Sequence, residues 1–129
     1  MHSCVIQDSD DEYVIYSTEY EYDSEQRIRK STMTRTEEKN SYYTLFNKID
    51  VYIREYTYNN SGLLEKEIYT VITDKDSYGE SESMSSITYE YDKENRLIKE
   101  IHDGTNAQTI IYEYDEETVS GNGIVCSYY

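Results

Sequence analysis

The sequence predicts an all-β fold, an antiparallel up-and-down meander of about eight strands built from Tyr-rich hairpins. Three observations carry this. The segment YEYDKENRLIKE at 89–100 has near copies in YEYDSEQRIRKS at 20–31 and YTYNNSGLLEKE at 56–67. Apolar and polar residues alternate on both sides of each polar centre, which is the period-two signature of strands flanking a turn. No segment of useful length has a helical period, and the chain contains no Pro.

The centres DSEQR, NNSGL and DKENR are rich in Asp, Asn, Ser and Gly, which bend a chain through side-chain hydrogen bonds or tolerated left-handed conformations. Directly opposed residues in a hairpin share a constant sum of positions. A five-residue connection then sets Tyr22 against Ile28 and Tyr20 against Lys30 in the first copy. The same arithmetic sets Tyr58 against Leu64 and Tyr56 against Lys66 in the second, and Tyr91 against Leu97 and Tyr89 against Lys99 in the third. Each unit is thus expected to place one ring on an aliphatic chain and another under a lysine. Such cross-strand pairs contribute roughly 0.2–1 kcal/mol each, with about 0.5–1 kcal/mol from a cation over an exposed ring. The opposite face carries Glu21 against Arg29, Thr57 against Glu65 and Glu90 against Ile98.

Between hairpins, residues 41–58 read as one long strand. From Tyr52 onward the tyrosines change parity, so a bulge or twist is expected near there. KEIYTVITDKD runs outward, SITYEY returns after a loop holding Tyr78 and Gly79, and QTIIYEYD begins a fourth copy with Tyr112, Tyr114 and Asp115. A return strand after SGNG completes the set, and its departure from the repeat suits an end cap. The array is expected to form one unit over 1–129, as a twisted open sheet or half-barrel. Closure of the last strand on the first would bring the strands of Cys4 and Cys126 together.

The pattern Tyr-x-Tyr-Asp-x-x-Gly-Arg-Leu is the signature of YD repeats, also called Rhs repeats, and YEYDKENRL at 89–97 resembles it with Asn95 in the Gly place. YEYDSEQRI at 20–28 is a looser match, and YTYNNSGLL at 56–64 keeps Gly62 but lacks the Asp and Arg. The resemblance spans about three quarters of the chain once intervening strands are included. It implies that the repeat residues are structural and not catalytic. Long arrays in that family build β-shells around toxins or extracellular stalks, and this chain has far too few copies for a shell.

Composition points the same way. Seventeen Tyr stand beside one Phe and no Trp, so rings with a polar tip must supply much of the packing surface. Twelve Lys and Arg against 27 Asp and Glu give a formal charge of −15. That disfavours direct binding to nucleic acid, where affinity comes from Lys and Arg displacing counterions, and disfavours anionic membranes. A strongly negative field attracts basic proteins, and it also serves solubility. MHSCVIQDSDDEY has neither a basic start nor an apolar run of signal-peptide length, so a cytoplasmic protein is expected, with a trimmed lipoprotein as the alternative that Cys4 suggests. Two cysteines make no disulfide framework. An unpaired edge strand would permit an edge-paired dimer beside the monomer.

Motifs for catalysis are missing: no Gly-rich phosphate loop, Ser-His-Asp set or Cys/His metal spacing occurs. His102 beside Asp103 reads as a surface residue. Asp74, Asp76 and Gly79 fall at the first, third and sixth places of a calcium loop, but Tyr78 and Ser85 occupy the fifth and twelfth. No cofactor or metal is expected. The acidic groups are the stronger lead: Asp8, Asp10, Asp11 and Glu12; Glu19 and Glu21; Asp74, Asp76, Glu80 and Glu82 around Tyr78; and Asp115, Glu116 and Glu117. Carboxylates on a rigid sheet imitate a phosphate backbone, and tyrosines supply interface anchors. The expectation is a non-enzymatic binding protein that occludes the basic, nucleic-acid-binding surface of a partner such as a nuclease, in the manner of immunity or anti-CRISPR inhibitors. A short YD-type structural or cell-surface module is the alternative.

Overall fold

A computed structural model describes residues 2–9, 12–40, 45–114 and 124–128. Nine strands are found there: β1 His2–Ser9, β2 Glu12–Tyr22, β3 Ile28–Asn40, β4 Leu45–Tyr58, β5 Leu64–Thr73, β6 Ser81–Tyr91, β7 Leu97–Asp103, β8 Gln108–Tyr114 and β9 Ile124–Tyr128. They form an all-antiparallel meander in which each strand neighbours the next, in the order β1 to β9. The sheet is therefore not closed into a barrel, and β1 does not pair with β9. The described residues contain no helix.

The three repeat centres fold into one turn. Asp23 N–H donates to Arg27 O and Gln26 N–H to Asp23 O, at 2.9 and 3.1 Å; Asn59 with Leu63 and Gly62, and Asp92 with Arg96 and Asn95, repeat the pair of bonds. The side chain at the first position completes the turn by accepting two more backbone N–H groups. Asp23 Oδ1 takes Glu25 and Arg27, Asn59 Oδ1 takes Ser61 and Leu63, and Asp92 Oδ1 takes Glu94 and Arg96, all between 2.8 and 3.0 Å. The fourth position is left-handed in every case, with φ of 67° at Gln26, 82° at Gly62 and 63° at Asn95. This is a type I turn followed by a left-handed residue, one of the common short hairpin connections. Asp and Asn suit its first place because they mimic a turn carbonyl.

Beyond the turns, the register differs from the simple sum. Tyr22 does face Ile28, and Tyr91 does face Leu97, but the register then slips by one residue in both hairpins. Arg29 and Ile98 are the extra residues of two β-bulges, so Glu21 faces Lys30 and Tyr20 faces Ser31, while Glu90 faces Lys99 and Tyr89 faces Glu100. The lysines expected on Tyr20 and Tyr89 are thereby moved onto glutamates, with Lys99 Nζ 3.5 Å from Glu90. Arginines take the place over the rings: Arg54 lies 4.8 Å from the Tyr69 centroid and Arg96 4.9 Å from that of Tyr114. On its β3 side, β4 pairs without a shift from Lys30/Glu55 to Asn40/Leu45, so no bulge interrupts that ladder at Tyr52. Apolar residues at both parities there reflect an interior strand covered on both faces: consecutive Asp50 and Val51 are both buried and point to opposite sides.

Contacts divide the chain into two compact units, Met1–Glu55 with Tyr69–Met84, and Tyr56–Ile68 with Ser85–Tyr129. In the first, Val14 and Val51 are buried beside the polar Asp50 and Thr70; in the second, Ile110 is buried. No described side chain is fully enclosed, which is why the amphipathic tyrosines carry the packing. In the second unit, Tyr91 OH donates to Leu64 O and Tyr114 OH to Leu97 O, both at 2.6 Å, while Tyr89 OH donates to Glu67 and Tyr112 OH to Glu100. The Tyr-x-Tyr strand of one hairpin is thus tied to the return strand of the hairpin before it.

Candidate docking surface

The predicted acidic residues divide into three sets. Asp10, Asp11, Asp115, Glu116 and Glu117 lie outside the described residues, and Asp8 falls at the register shift between Gln7 and Ser9 in β1. On β2, Glu12 lies 3.4 Å from Lys39 Nζ and Glu21 2.7 Å from Arg29, and Glu19 and Glu21 are both exposed. Glu12 has the opposite parity to Glu19 and Glu21, so the β2 acids do not form one patch.

The third set comes together. Asp74, Asp76, Tyr78, Glu80 and Glu82 occupy the β5–β6 loop and the start of β6. Tyr78 is fully exposed, and Met84, which sequence reasoning missed, is 63% exposed. Asp76, Glu80 and Glu82 are exposed as well. Apart from Lys75, no cation lies between 74 and 84. Exposed Tyr78 and Met84 thus accompany the exposed carboxylates of Asp76, Glu80 and Glu82 along this segment.

This loop is held in shape. Asp74 and Asp76 are left-handed, with φ of 58° and 64°. Ser77 is the internal brace: its N–H and Oγ both donate to Asp74 O, and its Oγ accepts from Gly79 N–H at 3.1 Å. Asp76 N–H donates to Glu80 Oε1 at 3.0 Å. Two anchors reach β4: Lys75 N–H donates to Ile49 O, and Asp74 N–H donates to Asp50 Oδ1. Asp50, also missed from sequence, lies 24 residues away from Asp74. Its one visible signal is a carboxylate set inside the apolar run LFNKIDVYI. Its Oδ2 lies 3.7 Å from Arg35. Arg35, opposite both Asp50 and Tyr16, is held above its ordinary value by hydrogen bonding with Tyr16 and then Glu37, against desolvation.

Among the described residues no group of three His, Cys, Asp or Glu side chains is placed to hold a metal ion. His102 is partly exposed near the end of β7, and Glu100 is its neighbour, with Nε2 3.3 Å from Oε1. Alternation along the strand accounts for that contact, because residues two apart share a face. No protein-family model matches this chain, and no curated protein or solved structure matches it either.

Proposed function

We propose that this is a non-enzymatic, cytoplasmic acidic binding protein that occludes a basic, nucleic-acid-binding surface of a partner protein, as nuclease inhibitors of the immunity or anti-CRISPR type do. The observation that carries the reading is the β5–β6 loop, where fully exposed Tyr78 stands among Asp76, Glu80 and Glu82. The ring supplies a desolvated anchor, and the carboxylates supply steering and register. The net charge of −15 extends the steering field over the whole molecule. Association should be fast and salt-sensitive. Affinity capture with the full chain at low and high salt, wild type beside Tyr78→Ala, tests this. Basic, nucleic-acid-binding partners lost at high salt and in the variant are expected; neutral or acidic partners, or capture indifferent to salt, would remove the reading.

A second reading, a short YD-type structural or cell-surface module, is favoured by the repeated turn. Asp23, Asn59 and Asp92 make the same bonds, and Gln26, Gly62 and Asn95 take the same left-handed conformation. These are the places where the YD pattern sets Asp and Gly. Further hairpins of this type in the encoding gene would support it, and a gene neighbourhood containing a nuclease would favour the first reading.

A further inference from the structure

We infer that Asp50 is a positioning residue whose carboxylate fixes the β5–β6 loop and so presents Tyr78 preformed. The inference rests on the reading of that loop as the docking element. Asp50 is 6% exposed, in the interior strand β4, yet its Oδ1 is spent on a loop amide, that of Asp74, at 2.9 Å. The next amide, Lys75 N–H, binds the carbonyl of the neighbouring Ile49 at 2.8 Å. Two successive loop residues are therefore clipped to two successive residues of β4, and the side chain of Asp50 serves where a backbone acceptor would serve in a ladder. The clip is needed because Asp74 and Asp76 hold left-handed conformations, which L-residues leave readily unless the surroundings determine them. Arg35, shared with Glu37 at 3.3 Å, lies 3.7 Å from Oδ2 and offsets part of the carboxylate's charge. A hook fixed in advance loses less freedom on binding, which raises affinity without any new contact.

Amide hydrogen exchange of the full-length protein, free of any partner, tests this with Asp50→Ala and Asp50→Asn. In Asp50→Ala, amides of residues 74–80 should exchange roughly tenfold faster or more, as loss of a hydrogen bond to a charged acceptor implies, while Val14 and Val51 keep their protection. Unchanged loop exchange, or an equal rise throughout Met1–Glu55, overturns the assignment. Asp50→Asn preserves volume and one acceptor oxygen, and keeps the variant folded should the alanine variant fail. Its loop should stay protected while the Asp74 amide proton moves upfield; an unmoved resonance also overturns the assignment. Because no partner is present, failure here removes the role of Asp50 and leaves the docking reading standing, whereas failed capture with Tyr78 does the reverse.

Discussion

Asp92 and Arg96 close their turn twice over. Oδ1 of the aspartate accepts the Arg96 backbone N–H at 2.9 Å, and Oδ2 accepts Arg96 Nε at 2.8 Å. Asp23 and Arg27 repeat this at 2.9 and 2.8 Å, whereas Asn59 makes only the backbone bonds, with Leu63 in the arginine place. The carboxyl groups of Asp23 and Asp92 are held below the ordinary aspartate value, first by the backbone N–H of Arg27 and Arg96, against some desolvation, and then by the same arginines' side chains.

A lowered carboxyl value in the folded state contributes stability above the unfolded value of about 3.9, and that contribution is lost as pH falls through it towards the folded value. Thermal melts should therefore show wild type above the double variant Asp23→Asn, Asp92→Asn at pH 7, with the gap narrowing as pH falls below about 3.9. No gap at pH 7 would show that the backbone bonds alone, which Asn retains, account for these residues.

Gln26 takes a left-handed conformation, φ 67°, at the place Gly62 fills in the second hairpin. Left-handed geometry costs an L-residue about 1–2 kcal/mol, part of which glycine gives back as unfolded-state entropy. Gln26→Gly should stabilise by about 0.5–1 kcal/mol, and Gly62→Ala should destabilise by about 1 kcal/mol. Urea unfolding midpoints measure both.

Tyr91 and Tyr114 each tie a strand to the return strand before it through a hydroxyl on a main-chain carbonyl. Tyr91→Phe and Tyr114→Phe should each cost about 0.5–1.5 kcal/mol, seen as a lower denaturant midpoint with an unchanged slope. Tyr89 and Tyr91 also resist ionisation, chiefly through burial, helped at Tyr89 by its bond to Glu67 and at Tyr91 by the Glu100 charge. A raised value favours the neutral form in the fold, so this stability is present below the unfolded value of about 10 and lost as pH rises beyond it. Ultraviolet titration should show phenolates forming in two classes, with the late class abolished by unfolding in urea.

The hairpin tips were legible in the sequence because their chemistry is local: Asp23, Asn59 and Asp92 with their left-handed partners define a turn within five residues. The pairs at the mouth, Tyr22 with Ile28 and Tyr91 with Leu97, followed from it. The next pairs did not, because arithmetic on positions assumes that no residue is extra, and the bulges at Arg29 and Ile98 move Lys30 and Lys99 from tyrosines to glutamates. The acidic loop could be found from composition, but its anchor could not. Asp50 binds a loop amide 24 residues later, and only the antiparallel packing brings the two together.

Tyr78 is fully exposed and Met84 largely so, so neither supports the fold. Tyr78→Ala and Met84→Ala should leave the melting transition within about 0.5 kcal/mol of wild type while weakening partner capture, with Tyr78 the larger loss because aromatic anchors dominate interface energetics.

The occlusion claim is tested most directly by competition on the captured partner. With the partner bound to its own nucleic acid, added protein should displace that nucleic acid at stoichiometric occupancy, and Tyr78→Ala should require a higher concentration to do so. A stable ternary complex, with nucleic acid and protein on the partner at once, would contradict the account.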